Sequence, residues 1–204
     1  MRQAILISVT TALLGSAVSA DHPGERLNEV TTKKEPGFEA ISQTGPDLGL
    51  ITVEGKTLGL EDFAGRILVV NFRPDSCTET CHVQHRLLVE TVTSLNASPM
   101  REMVSFVTVA ESAADIDTPA AANWSVVRSQ GSFDNIKAQL SAASERPDDT
   151  PMIHLFDRRG RHVGIFHGAK FKPLNLLMHI NGLTNAHPHR EPESILDKAM
   201  GWFE

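Results

Sequence analysis

The sequence predicts an α/β fold with one central mixed sheet flanked by helices. Ile67–Phe72 is an unbroken run of mostly branched apolar residues, and Val104–Val109 is a second. Between them Val83, Leu87, Leu88, Val92 and Leu95 recur at helical spacing. Continuous apolar runs suit strands covered on both faces, so this order reads as strand, helix, strand, the nucleus of an open sheet.

The remaining elements follow from local chemistry. Gly49–Val53 and Thr57–Leu60 form a strand pair around the turn Glu54-Gly55-Lys56. Ser132 is placed to cap a helix through Ile136 and Leu140 that ends before Pro147, because its hydroxyl accepts from unpaired amides of the first turn. Met152–Phe156 and Val163–Phe166 flank Asp157-Arg158-Arg159-Gly160-Arg161, where Gly160 supplies the positive φ of a hairpin loop. Pro173 suits the first turn of a closing helix over Leu174–Leu183, since its missing amide proton would go unpaired there anyway. The resulting sheet is expected to be mostly parallel with an antiparallel end.

With 204 residues, 41% of them hydrophobic, the chain suits one core and is short for two. The domain is expected over residues 47–184. The formal charge of -6 and the absence of any Lys/Arg run longer than a pair such as Lys33-Lys34 argue against a surface built for nucleic acid. Arg2, the apolar run Ala4–Leu14 and the small residues of Val18-Ser19-Ala20 read as a signal peptide over residues 1–20, cleaved after Ala20. The mature chain is then periplasmic with no membrane insertion, in a compartment where cysteines are free to pair. Residues 21–46, polar and broken by Pro23, Pro36 and Gly37, read as a flexible leader without a core. In the tail, residues 185–204, Leu196, Met200 and Phe203 could line one side of a short helix.

Only two cysteines are present, Cys77 and Cys81, set where the first buried strand turns into its helix. Four residues apart on a helix, they would share a face and their sulfurs could meet. A helix N-terminus stabilises thiolate over thiol and makes Cys77 the more reactive of the pair. Thiolates also bind soft metal: two would hold copper(I) or zinc, and an added imidazole would admit copper(II). The plainer reading is a structural disulfide. It is disfavoured because so small a loop removes little entropy from the unfolded chain.

These residues resemble the Sco/SenC family. The resemblance rests on Asn71-Phe72 leading into Ser76-Cys77-Thr78-Glu79-Thr80-Cys81, on Phe106–Val109 followed by Asp117-Thr118-Pro119, and on Leu155–Gly160. It implies a thioredoxin-like fold, with copper held by Cys77 and Cys81. It also implies delivery of copper, or reduction of thiols, for cytochrome c oxidase maturation, with an oxidase subunit or another periplasmic thiol or copper protein as partner. Two positions depart from the family pattern: His82 stands where a proline follows the second cysteine, and Asp149 stands where the metal-binding histidine falls. His154 is the nearest histidine in sequence and becomes the candidate third ligand.

The other histidines are weaker candidates. His82 and His85 are expected to face solvent, His162 and His167 to sit at strand ends on the surface, and His187-Pro188-His189 to lie in a loop. Thr150-Pro151 resembles instead the threonine and cis-proline that face the cysteines of thioredoxins. That feature favours the alternative function, a thiol-disulfide oxidoreductase with Cys77 and Cys81 as its redox pair. Peroxide reduction is a third option through Thr78-Glu79-Thr80-Cys81, but the arginine it would need cannot be assigned from sequence.

Overall fold

The structure, a computed structural model, describes residues 35, 37–112, 118, 120–146 and 149–185. The expected signal peptide, Asp117, Pro119, His187, His189 and the apolar residues of the tail lie outside the described residues.

Among the described residues eight strands form one sheet: β1 (Phe38–Thr44), β2 (Leu50–Thr52), β3 (Thr57–Leu58), β4 (Ile67–Arg73), β5 (Val104–Ala110), β6 (Trp124–Ser129), β7 (Met152–Phe156) and β8 (Arg161–His167). Helix α1 (Glu79–Asn96) joins β4 to β5, α2 (Phe133–Ser141) follows β6, and α3 (Pro173–Asn185) follows β8. Their spatial order is β1-β8-β7-β4-β5-β6-β2-β3. Only β4 with β5 and β5 with β6 pair in parallel; every other pair is antiparallel. The sheet is mixed as predicted, but the expectation of a mostly parallel one is corrected. Strands β1, β2 and β3 add antiparallel edges on both sides of the parallel centre.

The alternation of β4 divides the core into two layers. Ile67 and Val69 face α1 and α3, packing with Leu88, Val92, Leu95, Leu176 and Ile180. Leu68, Val70 and Phe72 face α2, packing with Ile136 and Leu140. A strand buried on both sides must be apolar throughout, which is why the branched run of β4 was readable. The one polar residue inside it, Asn71, accepts from Thr108 Oγ1 at 2.8 Å, and the same hydroxyl accepts from Trp124 Nε1 at 3.0 Å.

The leader assignment is corrected at its C-terminal end. Phe38–Thr44 is strand β1, paired with β8 from Phe38 opposite Phe166 to Thr44 opposite Arg161. Phe38 is fully buried, its ring 5.0 Å from that of Phe166 and 3.9 Å from that of His179. Gly164 makes room for it: a Cβ there would come within 2.7 Å of Phe38 Cε2. Hydrogen bonds to Glu39 complete the attachment, from Ser144 Oγ at 2.6 Å and Glu145 N at 2.8 Å, with His167 Nε2 2.7 Å away.

Candidate functional site

The site forms where the sheet hands the chain to α1. Strand β4 ends at Arg73, and Asp75 in the following loop is held to the end of β5. Its N–H donates to Glu111 Oε2 at 2.8 Å, and its carboxylate accepts from Ser112 Oγ at 2.6 Å. Thr78 then caps the helix, its hydroxyl accepting from Cys81 N at 3.3 Å. Cys81 therefore lies in the first turn, whereas Cys77 precedes the cap. The two cysteines do not share a helix face as the spacing suggested, yet their sulfurs meet: they are joined in a disulfide with Cα atoms 5.5 Å apart. Cys77 is half-buried and Cys81 buried.

Arg73 completes the arrangement. Its Nη1 donates to Cys77 Sγ at 2.7 Å and lies 3.7 Å from Cys81 Sγ, while Nη2 is 3.1 Å from His82 Nδ1. A guanidinium only donates, so Nδ1 of His82 is the acceptor in that contact. Sequence reasoning missed this arginine. The available signal was its position as the last residue of β4, four before Cys77, where a side chain leaving the sheet end reaches the helix mouth.

A cavity of about 420 Å³ opens beside Cys81, with Phe72, Phe133, Asp149, Thr150, Pro151 and His154 among its walls. The segment Thr150-Pro151, expected from its likeness to thioredoxins to face the cysteines, shares this cavity's wall with Cys81, and Pro151 is trans. Gln84 of α1 ties the segment down. Buried, it donates through Nε2 to Pro151 O and to Gly168 O, each at 2.7 Å. Gln84→Leu would leave buried carbonyl capacity unmet. It is expected to lower stability by about 1–3 kcal/mol, read as a drop in the urea midpoint at unchanged slope.

His154 lies on β7, fully buried, with Nδ1 3.2 Å from His162 Nε2 and, among the described residues, no partner at Nε2. Burial holds its pKa well below the ordinary histidine value, and the neighbouring His162 and His167 push the same way. His162 and His167 are buried rather than surface residues, because β1 covers the strand that carries them. His162 stacks on Phe156 with ring centroids 4.7 Å apart. His85, expected in solvent, is buried against Trp124; His82 is exposed as expected. Among the described residues no group of three or more His, Cys, Asp or Glu side chains is arranged to hold a metal ion. Nor is any helix there long and apolar enough to cross a membrane.

No family profile and no curated protein matches the chain. Solved structures do. BsSco, described as a member of the Sco family of cytochrome c oxidase assembly proteins, matches with a TM-score of 0.58 at 10% identity, over 73% of this chain and 98% of its own. A SCO1/SenC family lipoprotein from Bacillus anthracis matches at 0.56 and 13% identity, over 72% and 98%. A thiol:disulfide interchange protein from Bacteroides sp. matches at 0.50 and 22%, over 74% and 97%. At such identities the likeness defines the fold, which is thioredoxin-like and common to Sco and thiol-disulfide interchange proteins. In this thioredoxin-like fold the Cys77–Cys81 disulfide stands at the mouth of α1.

Proposed function

We propose that the protein is a thiol-disulfide oxidoreductase of the periplasm. The observation that carries this reading is the disulfide between a half-buried Cys77 and a buried Cys81 at the start of α1. That asymmetry assigns the roles. In the reduced protein the Cys77 thiolate attacks one sulfur of a client disulfide, forming a mixed disulfide and releasing the client's first sulfur as thiolate. Cys81 gives up its proton and attacks Cys77 Sγ, restoring the intramolecular bond and expelling the second client thiolate. Two electrons pass to the client in all; of the two protons its thiolates take up, one comes from Cys81 and the other from solvent. Cys77→Ser is expected to abolish reduction of a protein disulfide by the reduced protein; a rate within twofold of the unaltered protein would refute the assignment.

Copper delivery to an oxidase subunit, or to another periplasmic thiol or copper protein, is the second reading. It is supported by His154 Nε2, partnerless among the described residues, in the side chain that shares a cavity wall with Cys81 and Asp149. The reduced sulfurs and one imidazole are a chemically suitable set for copper as cargo. The donors are not preassembled as a three-membered group, however, so the residues fit the redox role better than the carrier role. Titrating the reduced protein with copper(I), unaltered and as His154→Ala, tests it: stoichiometric binding weakened by the substitution supports delivery, and no binding removes it.

Peroxide reduction is disfavoured by the same geometry. The missing arginine is present, but it sits closer to Cys77 than to Cys81, and the cysteine of the Thr78–Cys81 pattern is the buried one.

A further inference from the structure

The guanidinium of Arg73 has an unusual set of partners. It contacts both sulfurs of the pair and the ring of His82, and among the described residues no carboxylate pairs with it. One acidic neighbour, Glu111, follows β5 directly beside the end of β4, with its N–H donating to Arg73 O at 3.0 Å. Its carboxylate accepts from Asp75 N instead. Among the described residues the positive charge is therefore directed at sulfur, more closely at Cys77 than at Cys81.

We infer that Arg73 is the positioning residue that selects Cys77 as the attacking thiolate and sets the redox balance of the pair. The inference rests on the oxidoreductase reading and adds to it the source of the asymmetry. A disulfide carries no charge, whereas the reduced pair carries a thiolate at Cys77, so a fixed cation favours the reduced form and makes the disulfide a better oxidant. Arginine suits this task because its planar fork can hold both sulfurs with one arm and His82 with the other. His82 holds the far arm of the fork, accepting from Nη2 and leaving Nη1 on Cys77.

Two measurements on the full chain test this. In Cys81→Ser, where Cys77 is the sole thiol, thiolate absorbance near 240 nm is followed against pH with Arg73 present and as Arg73→Gln; the thiolate fraction at neutral pH is expected to fall about tenfold where Cys77 titrates above that pH. In the two-cysteine protein, equilibration with glutathione is expected to show Arg73→Gln about tenfold less oxidising, equivalent to about 30 mV. Arg73→Lys should recover most of the thiolate fraction, which a purely structural role would not predict. A titration and an equilibrium constant both within twofold of the unaltered protein would overturn the inference. Should Arg73→Gln fail to fold, His82→Ala at its exposed site should shift both readouts the same way by about threefold, and no shift there would be equally fatal. No client protein enters either measurement, so failed client reduction with intact titration shifts would count against the oxidoreductase reading alone.

Discussion

Phe38→Ala is expected to destabilise the domain by about 3–5 kcal/mol, the cost of emptying a fully buried aromatic site. The residue stands at 0% exposure between Phe166 and His179, in the space that Gly164 leaves open on β8. Collapse of the cavity is resisted because its walls are strand backbone and the helix α3, so little of the lost contact is recovered. A chain beginning after Pro46 should fare worse. It would strip the edge from β8 and leave His167 without its Glu39 partner. Urea denaturation compares Phe38→Ala with Thr44→Ala at the exposed end of the same strand, expected within about 0.5 kcal/mol of the unaltered protein. A loss below about 1 kcal/mol at Phe38 would mean that β1 is an appendage rather than part of the core.

Stability is expected to fall steeply as the pH is lowered from about 6.5 towards 4. Burial pushes His162 down to about 4 against a partial opposing pull from Glu39, pushes His179 down to about 4, and holds His154 well below the ordinary histidine value. In the unfolded chain these rings take up protons near pH 6.5, so below that value the unfolded state binds protons that the folded state refuses. The contribution is nil above roughly pH 6.5 and reaches roughly 3 kcal/mol for each of His162 and His179 as the pH approaches 4. Glu39 extends the loss further. Burial alone would raise its carboxyl, but hydrogen bonds from Ser144, the Glu145 amide and His167 hold it below the usual value of 4.5, so its stabilisation disappears on further acidification. Urea midpoints at pH 7.5, 6.0 and 5.0 provide the check; midpoints that stay level would show that these rings are not buried in neutral form.

Much of this architecture was written in local pattern. The run at Ile67–Phe72 is legible because both sides of β4 meet hydrophobic layers, and α1 because its inward residues follow the helical period. Gly160 does have a positive φ, 75°, and Ser132 does cap α2 through Asn135 N at 3.4 Å. Strand β1 escaped because its sequence, FEAISQT, mixes polar residues into both faces, and its pairing partner lies more than a hundred residues away. Glu39 falls in the segment read as leader; it is buried because Ser144, Glu145 and His167 satisfy it, an arrangement only the folded chain creates. The same holds for the histidines of β8, whose burial depends on β1.

At the site, the meeting of Cys77 and Cys81 was legible while its geometry was not. Spacing alone put both on the helix, but a threonine between them caps better than a cysteine and draws the boundary at Thr78. The approach of Arg73 depends on where β4 stops relative to α1, and its place four residues before Cys77 was the hint the sequence held.

The cap has one more implication. Because Thr78 anchors the first turn through its own hydroxyl, opening the sulfur bridge need not unravel α1, and the two redox forms can keep nearly the same outline. Any partner that must distinguish the spent protein from the recharged one would then discriminate by electric charge at the helix mouth rather than by shape.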